Sequence, residues 1–330
     1  MTKQETAAEL IKLYPDSNNM QISRMLMTKY PEMFKTINQT RSTVRVVRGV
    51  HGNYCRNNIA IPILPRTEEA IKKAQFHIPD SDPSEFAIFK LPKEIKKWLV
   101  IGDLHIPYHS RESIEIAVEY AKNENVEGLI INGDYLDCYH LSKFCKNPQA
   151  RHFKEEVNLG KDILYDIMKY LDLKFTIYKE GNHENRLQQY LMNKAPEIFD
   201  DSNFTFTEYF KMNEMGIKWV PNSNPIQSGK LTILHGNEYG NAMNSPVNPA
   251  RGLFLKGYEC AIESHYHRTS EHTEPTLLDK VITTWSLGCL CDLHPDYAPL
   301  NKWNHGFGLL YIDDKGWKFV NKRIVQGEVR

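Results

Sequence analysis

The sequence predicts an α/β protein in which two packed β-sheets have helices outside them, preceded by a small all-α N-terminal domain. Three observations support this fold class. Short β-rich runs alternate with amphipathic helical stripes between residues 97 and 178. The pattern becomes β-rich after residue 267, and residues 1–50 show helical spacing only. Two sheets that bury one face against each other and the other under helices satisfy such a pattern.

The N-terminal 50 residues have the helix, turn, helix, helix pattern of helix-turn-helix domains. Thr2 with Glu5 predicts a capping box before the first apolar stripe. A turn-forming run separates this stripe from a second one. We expect Asn38 to cap a third helix, which Gly49 closes.

The third predicted helix presents a basic face, because Arg41, Arg45 and Arg48 follow one another at i, i+4 and i+7. Residues 1–50 hold eight Lys and Arg and four Asp and Glu, a difference of +4. One interpretation is docking on the phosphate backbone of DNA. The other is a solvated basic face on a small helical bundle, since helix-turn-helix geometry also occurs in structural modules.

Residues 51–95 show little periodicity and predict a linker that lies along the main domain, which we place at residues 96–330. The prolines that indicate this linker are Pro62, Pro65, Pro79, Pro83 and Pro92. In the main domain, residues 97–135 predict a strand, a helix and a strand, and a further helix precedes a strand at residues 174–178. Later strands are expected at residues 281–285, 308–312 and 317–320.

Metal-ligating residue types follow five of the apolar runs, at the point where each predicted strand ends. Open α/β sheets bind ligands at the carboxyl ends of their strands. Carboxylates, imidazoles and one amide delivered there predict a metal centre, and oxygen and nitrogen ligands without thiolate suit Mn²⁺, Fe or Zn²⁺. The candidate ligands are Asp103, His105, Asp134, Asn182, His235, His265 and His267.

The ordered motifs D-x-H, G-D-x-x-D, G-N-H-E, H and a final H-x-H resemble those of the calcineurin-like metallophosphoesterase family, over roughly residues 97 to 320. With the helical N-terminal domain, the layout resembles bacterial and phage members. The resemblance implies a four-layer α/β/β/α sandwich. It also implies that Asp134 bridges two ions. Asp103, His105 and His267 would complete one ion's ligands, and Asn182, His235 and His265 the other's. One departure is Ser264, where the family has glycine.

Three further residues are candidate catalytic groups. By resemblance, His183 protonates the leaving oxygen, and Asp137 pairs with His183. The alternative for His183 is a polar loop residue, and the alternative for Asp137 is a helix cap. Protein phosphatases of the family have an arginine where this chain has Cys138, so Arg186 is a candidate replacement for phosphate binding. Its alternative is a solvated helix residue.

The composition restricts the functional class. The chain has 330 residues, 41 basic and 41 acidic, which argues against extensive coating of nucleic acid. The first residues lack an apolar signal region, and no apolar run approaches the roughly 20 residues that span a membrane. The six scattered cysteines, without a C-x-x-C pair, predict free buried thiols in a reducing cytoplasm.

These features lead to one expected function and two alternatives. The expectation is a metal-dependent phosphatase or phosphodiesterase that hydrolyses a phosphate mono- or diester, such as a nucleotide, by attack of a metal-bridging hydroxide. Two divalent metal ions are expected, Mn²⁺ first and Fe or Zn²⁺ next. The first alternative is a nuclease or nucleic-acid end processor that holds DNA through residues 1–50. The second is a non-enzymatic DNA-binding regulator, which the intact ligand set disfavours.

Overall fold

The computed structural model describes residues 2–15, 17–48, 86–147, 149–240 and 247–330. It divides the chain into two compact units, Met1–Pro83 and Ser84–Arg330. The predicted closing residue Gly49 and most of the predicted linker, residues 51–85, lie outside the described residues. No helix among the described residues is long and apolar enough to cross a membrane.

The first unit contains three helices: α1 (Lys3–Leu13), α2 (Asn19–Lys29) and α3 (Ile37–Val47). The capping box predicted from Thr2 and Glu5 is confirmed, since each side chain accepts a hydrogen bond from the other residue's backbone N–H. The apolar stripes of the three helices pack into one small core. Its fully buried members are Ala7, Ile22, Leu26, Val44 and Val47.

Two predictions about α3 need correction or refinement. Asn38 is not the cap: Thr36 is, because its backbone is extended and its Oγ1 accepts from the N–H of Gln39 at 3.4 Å. Asn38 instead lies exposed in the first turn of the helix. Arg48 donates to the Asn19 side chain at 3.1 Å and to the Ser17 carbonyl, so it ties α3 to the turn before α2.

In the second unit, seven strands form the first sheet. In chain order they are β2 (Lys97–Ile101), β3 (Gly128–Asn132), β4 (Phe175–Lys179), β5 (Ile217–Val220), β11 (Gly306–Asp313), β12 (Gly316–Val325) and β13 (Glu328–Val329). Their order across the sheet is β13-β12-β11-β2-β3-β4-β5. Strands β2 to β5 are parallel, whereas β11 pairs antiparallel with both β2 and β12.

Six strands form the second sheet. They are β1 (Phe89–Lys90), β6 (Ile226–Ser228), β7 (Leu231–Ile233), β8 (Ala261–Glu263), β9 (Ser270–Pro275) and β10 (Val281–Ser286), in the order β1-β6-β7-β8-β10-β9. Strand β1 pairs with β6 and comes from the C-terminal end of the region predicted as a linker.

Helices cover the outer faces of both sheets: α4 (Arg111–Asn123), α5 (Phe153–Leu171), α6 (Asn185–Lys194), α7 (Phe206–Phe210) and α8 (Pro249–Gly257). Alternation along β2 shows how the layers form. Trp98 and Val100 point into the core between the sheets, with Ile262 of the second sheet. Leu99 and Ile101 point to the opposite face, into the core with α4 and α5. Leu253 of α8 packs on the second sheet. The predicted four-layer sandwich is confirmed.

The five described cysteines are free thiols, as expected. Cys138, Cys289 and Cys291 are buried, but Cys260 is half-buried and Cys145 is exposed, so the prediction that all are buried is wrong for these two residues. Cys145 lies in the loop after β3, where no sheet or helix covers it.

Candidate metal centre

The structure brings together all seven predicted metal-ligating residues at the carboxyl ends of the strands. The loop after β2 supplies Asp103 and His105, the loop after β3 supplies Asp134, and the loop after β4 supplies Asn182. The second sheet supplies His235 after β7 and both His265 and His267 after β8. The ligands therefore come from both sheets and lie where the two sheets' strand ends meet.

The first group of ligand atoms surrounds His267. Its Nε2 lies 3.1 Å from Nε2 of His105 and 3.4 Å from Oδ1 of Asp103. All three side chains are buried. The sulfur of Cys291 lies 3.9 Å from the opposite ring nitrogen of His267, Nδ1, so it supports the ring from behind. These contacts define one three-residue pocket for a cation.

The second group surrounds His235. Its Nε2 lies 3.2 Å from Oδ2 of Asp134 and 3.2 Å from Oδ1 of Asn182, and its ring contacts that of His265. Ligand atoms of Asp134, His235 and His265 lie within 4.8 Å of one another, and so do those of Asp103, His105 and Asp134. Asp134 thus belongs to both groups, which is the position that a bridging carboxylate needs.

The hydrogen bonds show that this cluster requires positive charge. Nδ1 of His235 lies 2.7 Å from the Asn132 carbonyl, so Nδ1 carries a proton and donates it. In a neutral ring, the Nε2 lone pair would then face the oxygens of Asp134 and Asn182 with no hydrogen between them. Burial lowers the pKa of His235, but Asp134, Asp103 and Glu238 together outweigh burial and raise that pKa to about 10. A bound cation would satisfy the same atoms, so the residues fit a metal.

A second observation also fits a metal. Oδ1 of Asp103 and Nδ1 of His265 are buried and have no hydrogen-bond partner among the described residues. A buried polar atom without a partner costs about 1–3 kcal/mol. Carboxylate oxygens and imidazole nitrogens are suitable ligands for Mn²⁺, Fe or Zn²⁺. A bound cation would provide a partner for both atoms.

Five of the seven candidate ligands have left-handed backbone conformations. The φ angles are 53° at Asp103, 48° at His105, 50° at Asp134, 65° at His265 and 55° at His267. Such conformations cost of the order of 1–3 kcal/mol each and cluster at functional sites. The loops hold them by backbone hydrogen bonds, including Asp103 N–H to the Gly133 carbonyl at 3.1 Å. The backbone turns sharply at each strand end, and this turns the ligand side chains inward.

The predicted catalytic residues lie beside the first ligand group. Oδ1 of Asp137 is 3.1 Å from Nδ1 of His105 and 3.2 Å from Nδ1 of His183. Arg186 donates to the Asp137 carbonyl at 2.7 Å and approaches Nε2 of His183 at 2.9 Å. Arg186 is thus not the solvated helix residue of the alternative interpretation. The structure places Asp137, His183 and Arg186 in one contact network.

The charges in this network affect one another. Burial raises the pKa of Asp137, but the hydrogen bonds from His105 and His183 outweigh burial. The pKa of Asp137 therefore lies below its ordinary value, and the carboxylate is ionised. Burial lowers the pKa of His183, whereas Asp134 and Asp137 together raise it above its ordinary value. Arg186 opposes that rise. His183 can therefore hold a proton next to the ligand Asp134, whose Oδ2 lies 3.8 Å away.

Glu184 is a site residue to which sequence analysis gave no role. It is buried, and its position after the Gly-Asn-His run was the available signal. Its carboxylate accepts five hydrogen bonds of 2.8–3.1 Å, from the backbone N–H groups of Asp134, Tyr135, Leu136 and Gly181 and from the Tyr178 hydroxyl. Glu184 therefore joins the loop that carries Asp134 to the loop that carries Asn182.

A buried ion pair supports His235 and was also missed. Lys179, which is fully buried, lies 3.0 Å from Glu238 through its Nζ. Glu238 accepts from the backbone N–H groups of His235 at 2.8 Å and Gly236 at 2.6 Å. A buried pair of this kind contributes little net stability but is costly to break. Its effect here is to fix the loop in which His235 lies.

Ser264, the departure from the family pattern, is accommodated by a glycine opposite it. Its buried Oγ accepts a hydrogen bond from the Asn132 side chain at 2.9 Å. A Cβ atom at Gly102 would lie only 2.6 Å from that Oγ. The Ser264 hydroxyl therefore fills the space that Gly102 leaves, and the ligands on either side stay in place.

Comparison with known proteins identifies the class. The family model of calcineurin-like phosphoesterases matches residues 96–280, more than half of the chain. The chain belongs to the calcineurin-like phosphoesterase family. It is similar to the Gene 54 protein of Mycobacterium phage L5, 24% identical over 66% of this chain and 89% of that protein.

Two solved structures are also similar to the chain. Vps29 from Entamoeba histolytica complexed with zinc is 16% identical, covers 71% of this chain and 96% of its own, and has a TM-score of 0.37. Yfce, a phosphoesterase from E. coli, is 15% identical, with 71% and 96% coverage and a TM-score of 0.33.

The role of Glu184 can be tested by replacing it with glutamine. In Glu184→Gln the side-chain amide is a donor that faces backbone donors, so at least one buried N–H group loses its acceptor. We expect the free energy of unfolding, measured by urea denaturation, to fall by about 1–3 kcal/mol. The control Glu197→Gln changes an exposed carboxylate and should stay within about 0.5 kcal/mol of the parent protein. Equal stability of the two variants would contradict the role of Glu184.

Proposed function

We propose that the protein hydrolyses a phosphate mono- or diester at a centre that holds two divalent cations. The observation that supports this most directly is the membership of Asp134 in both ligand groups. When bound, two such cations supply a nucleophile from water at neutral pH and positive charge for the phosphoryl oxygens. Asp103, His105 and His267 would hold one cation, and Asn182, His235 and His265 the other. Mn²⁺ is our first choice of metal, with Fe or Zn²⁺ next.

The network of Asp137, His183 and Arg186 provides the second half of the proposed chemistry. Asp137 accepts from Nδ1 of His183 and so leaves Nε2 as the atom that can deliver a proton to the leaving oxygen. Arg186 lies against that Nε2, and its guanidinium is suited to phosphoryl oxygens. When Arg186 turns to the phosphate, Nε2 becomes available for the proton.

The bridging role of Asp134 is tested by metal content. Protein purified with Mn²⁺ should contain close to two ions, and Asp134→Asn should lose occupancy at both positions because both ligand groups use this carboxylate. Elemental analysis after gel filtration measures the ratio. The control Asp162→Asn changes an exposed carboxylate on α5 and should leave the ratio unchanged. Loss of only one ion from Asp134→Asn would rule out a bridging carboxylate.

The proton-donor role of His183 is tested by leaving-group dependence. His183→Ala should keep its metal content and lose about 10²–10⁴-fold in kcat on an alkyl phosphate, the usual contribution of a general acid. The loss should be smaller on p-nitrophenyl phosphate, because that leaving group needs little protonation. Equal losses on both substrates would leave electrostatic stabilisation as the role of His183.

A second candidate function is a nuclease or nucleic-acid end processor, with DNA held by residues 1–50. The observation that favours it is the exposed surface of α3, which has no acidic residue. Asn38, Gln39 and Arg41 lie exposed on its first turns, and these side chains can contact base edges and phosphates. The intact ligand set still disfavours a purely regulatory protein.

The free thiols Cys138, Cys289 and Cys291 support our proposal of a cytoplasmic location.

The DNA hypothesis is tested in the full chain with Arg41→Ala. If Arg41 contacts a phosphate, this change should lower the slope of log affinity against log salt by about one, as measured with a labelled duplex. Hydrolysis of p-nitrophenyl phosphate should not change, because the candidate ligands begin at Asp103. The control Lys12→Ala removes an exposed charge from α1. Absence of salt-sensitive DNA affinity in the parent protein would defeat the hypothesis.

A further inference from the structure

Aromatic side chains lie beside the first ligand group. The ring of Trp303 lies 4.1 Å from the ring of His267, edge to face. The ring of Tyr297 lies 6.1 Å from that of Trp303, and 72% of the Tyr297 side chain is exposed. Tyr108, three residues after the candidate ligand His105, is 42% exposed. The aromatic group of Tyr297 and Trp303 therefore leads from a candidate metal-ligating histidine outward to solvent.

Hydrogen bonds hold the loops that carry this aromatic group. The Asn301 side chain donates to the carbonyls of Leu293 and Ala298 at 2.6 and 2.8 Å and accepts from the Trp303 N–H at 2.8 Å. The N–H of Asp292 donates to the Tyr108 carbonyl at 2.7 Å, which joins the two loops. The aromatic rings thus project from an ordered base.

The charges of the predicted catalytic network act on both tyrosines. Partial burial raises the pKa of both phenols, and the carboxylate of Asp137 raises each of them further. Arg186 lowers the pKa of Tyr297. Both phenols therefore lie within the electric field of the network that contains His183.

We propose that the aromatic group of Tyr297 and Trp303 binds the base of a nucleotide, or of a nucleic-acid strand end, whose phosphate lies at the metal centre and Arg186. This inference rests on the proposed phosphoesterase function and names its substrate class. Exposed rings present flat apolar faces, and bases stack on such faces irrespective of sequence. A base is joined to its phosphate through a sugar, which matches rings that begin at a ligand histidine and extend outward.

The test compares AMP with ribose 5-phosphate, which has the same leaving oxygen but no base. With Mn²⁺, the parent protein should show a kcat/KM about 5- to 150-fold higher on AMP, the contribution of one stacked base. Tyr297→Ala should remove most of this preference through KM and leave ribose 5-phosphate unaffected. Tyr297→Phe should keep the preference, and the control Tyr165→Ala changes an exposed tyrosine on α5 and should have no effect.

Failure of the aromatic subsite can be distinguished from failure of the proposed phosphoesterase function. Equal kcat/KM on AMP and ribose 5-phosphate overturns the aromatic subsite but leaves the phosphoesterase standing. A higher kcat/KM on a phosphotyrosine peptide than on AMP also overturns the subsite. No hydrolysis of any ester, p-nitrophenyl phosphate included, overturns the proposed function.

A binding measurement decides the subsite even if hydrolysis fails. Calorimetric titration of AMP into the His183→Ala protein, with and without Tyr297→Ala, should give a dissociation constant that Tyr297→Ala raises about tenfold. An unchanged constant overturns the inference.

An oligonucleotide with a terminal 5′-phosphate distinguishes the source of the base. A larger effect of Tyr297→Ala on the oligonucleotide supports the subsite and identifies a strand end as its occupant.

Discussion

The structure depends on the convergence of seven electron-rich side chains around Asp134. Two buried carboxylates, four imidazoles and an amide lie close together, and five of the seven side chains are buried. Like lone pairs and negative charges cannot remain at such distances unless positive charge lies between them, because burial strengthens every electrostatic interaction. Protons can meet this need in part, as the raised pKa of His235 shows. Two divalent cations would meet it in full.

Support for this cluster comes from residues that never touch a substrate. Glu184 joins the loops of Asp134 and Asn182, and the pair of Lys179 and Glu238 holds the loop of His235. The five left-handed ligand residues together cost several kcal/mol. The two-sheet core, with Trp98 and Ile262 buried at its centre, provides the packing that maintains such strain. The rigid sandwich is thus a condition for the ligand geometry.

The sequence predicts the ligands better than it predicts their supports, for a physical reason. Each ligand follows an apolar run, so its strand end is visible locally, and parallel strand ends meet at one edge. Glu184 and Lys179 are charged residues that are usually exposed, and their partners lie in other loops. The cap of α3 was misplaced because Thr36 and Asn38 both suit that position, and only the backbone conformation selects Thr36. The contact of Tyr297 with Trp303 depends on a loop path that no periodicity reveals.

The contact between Arg186 and His183 connects phosphate binding with proton transfer. In this arrangement the Arg186 guanidinium lies 2.9 Å from Nε2 of His183, so that nitrogen accepts a hydrogen bond from Arg186 when the ring is neutral. A phosphate in the site offers Arg186 a stronger, charged acceptor. Once Arg186 turns to it, the charges of Asp134 and Asp137 favour protonation of Nε2. In the proposed mechanism, the proton donor would be completed when a phosphate is bound, so the arginine proposed to bind the substrate would also prepare the departure of its leaving group.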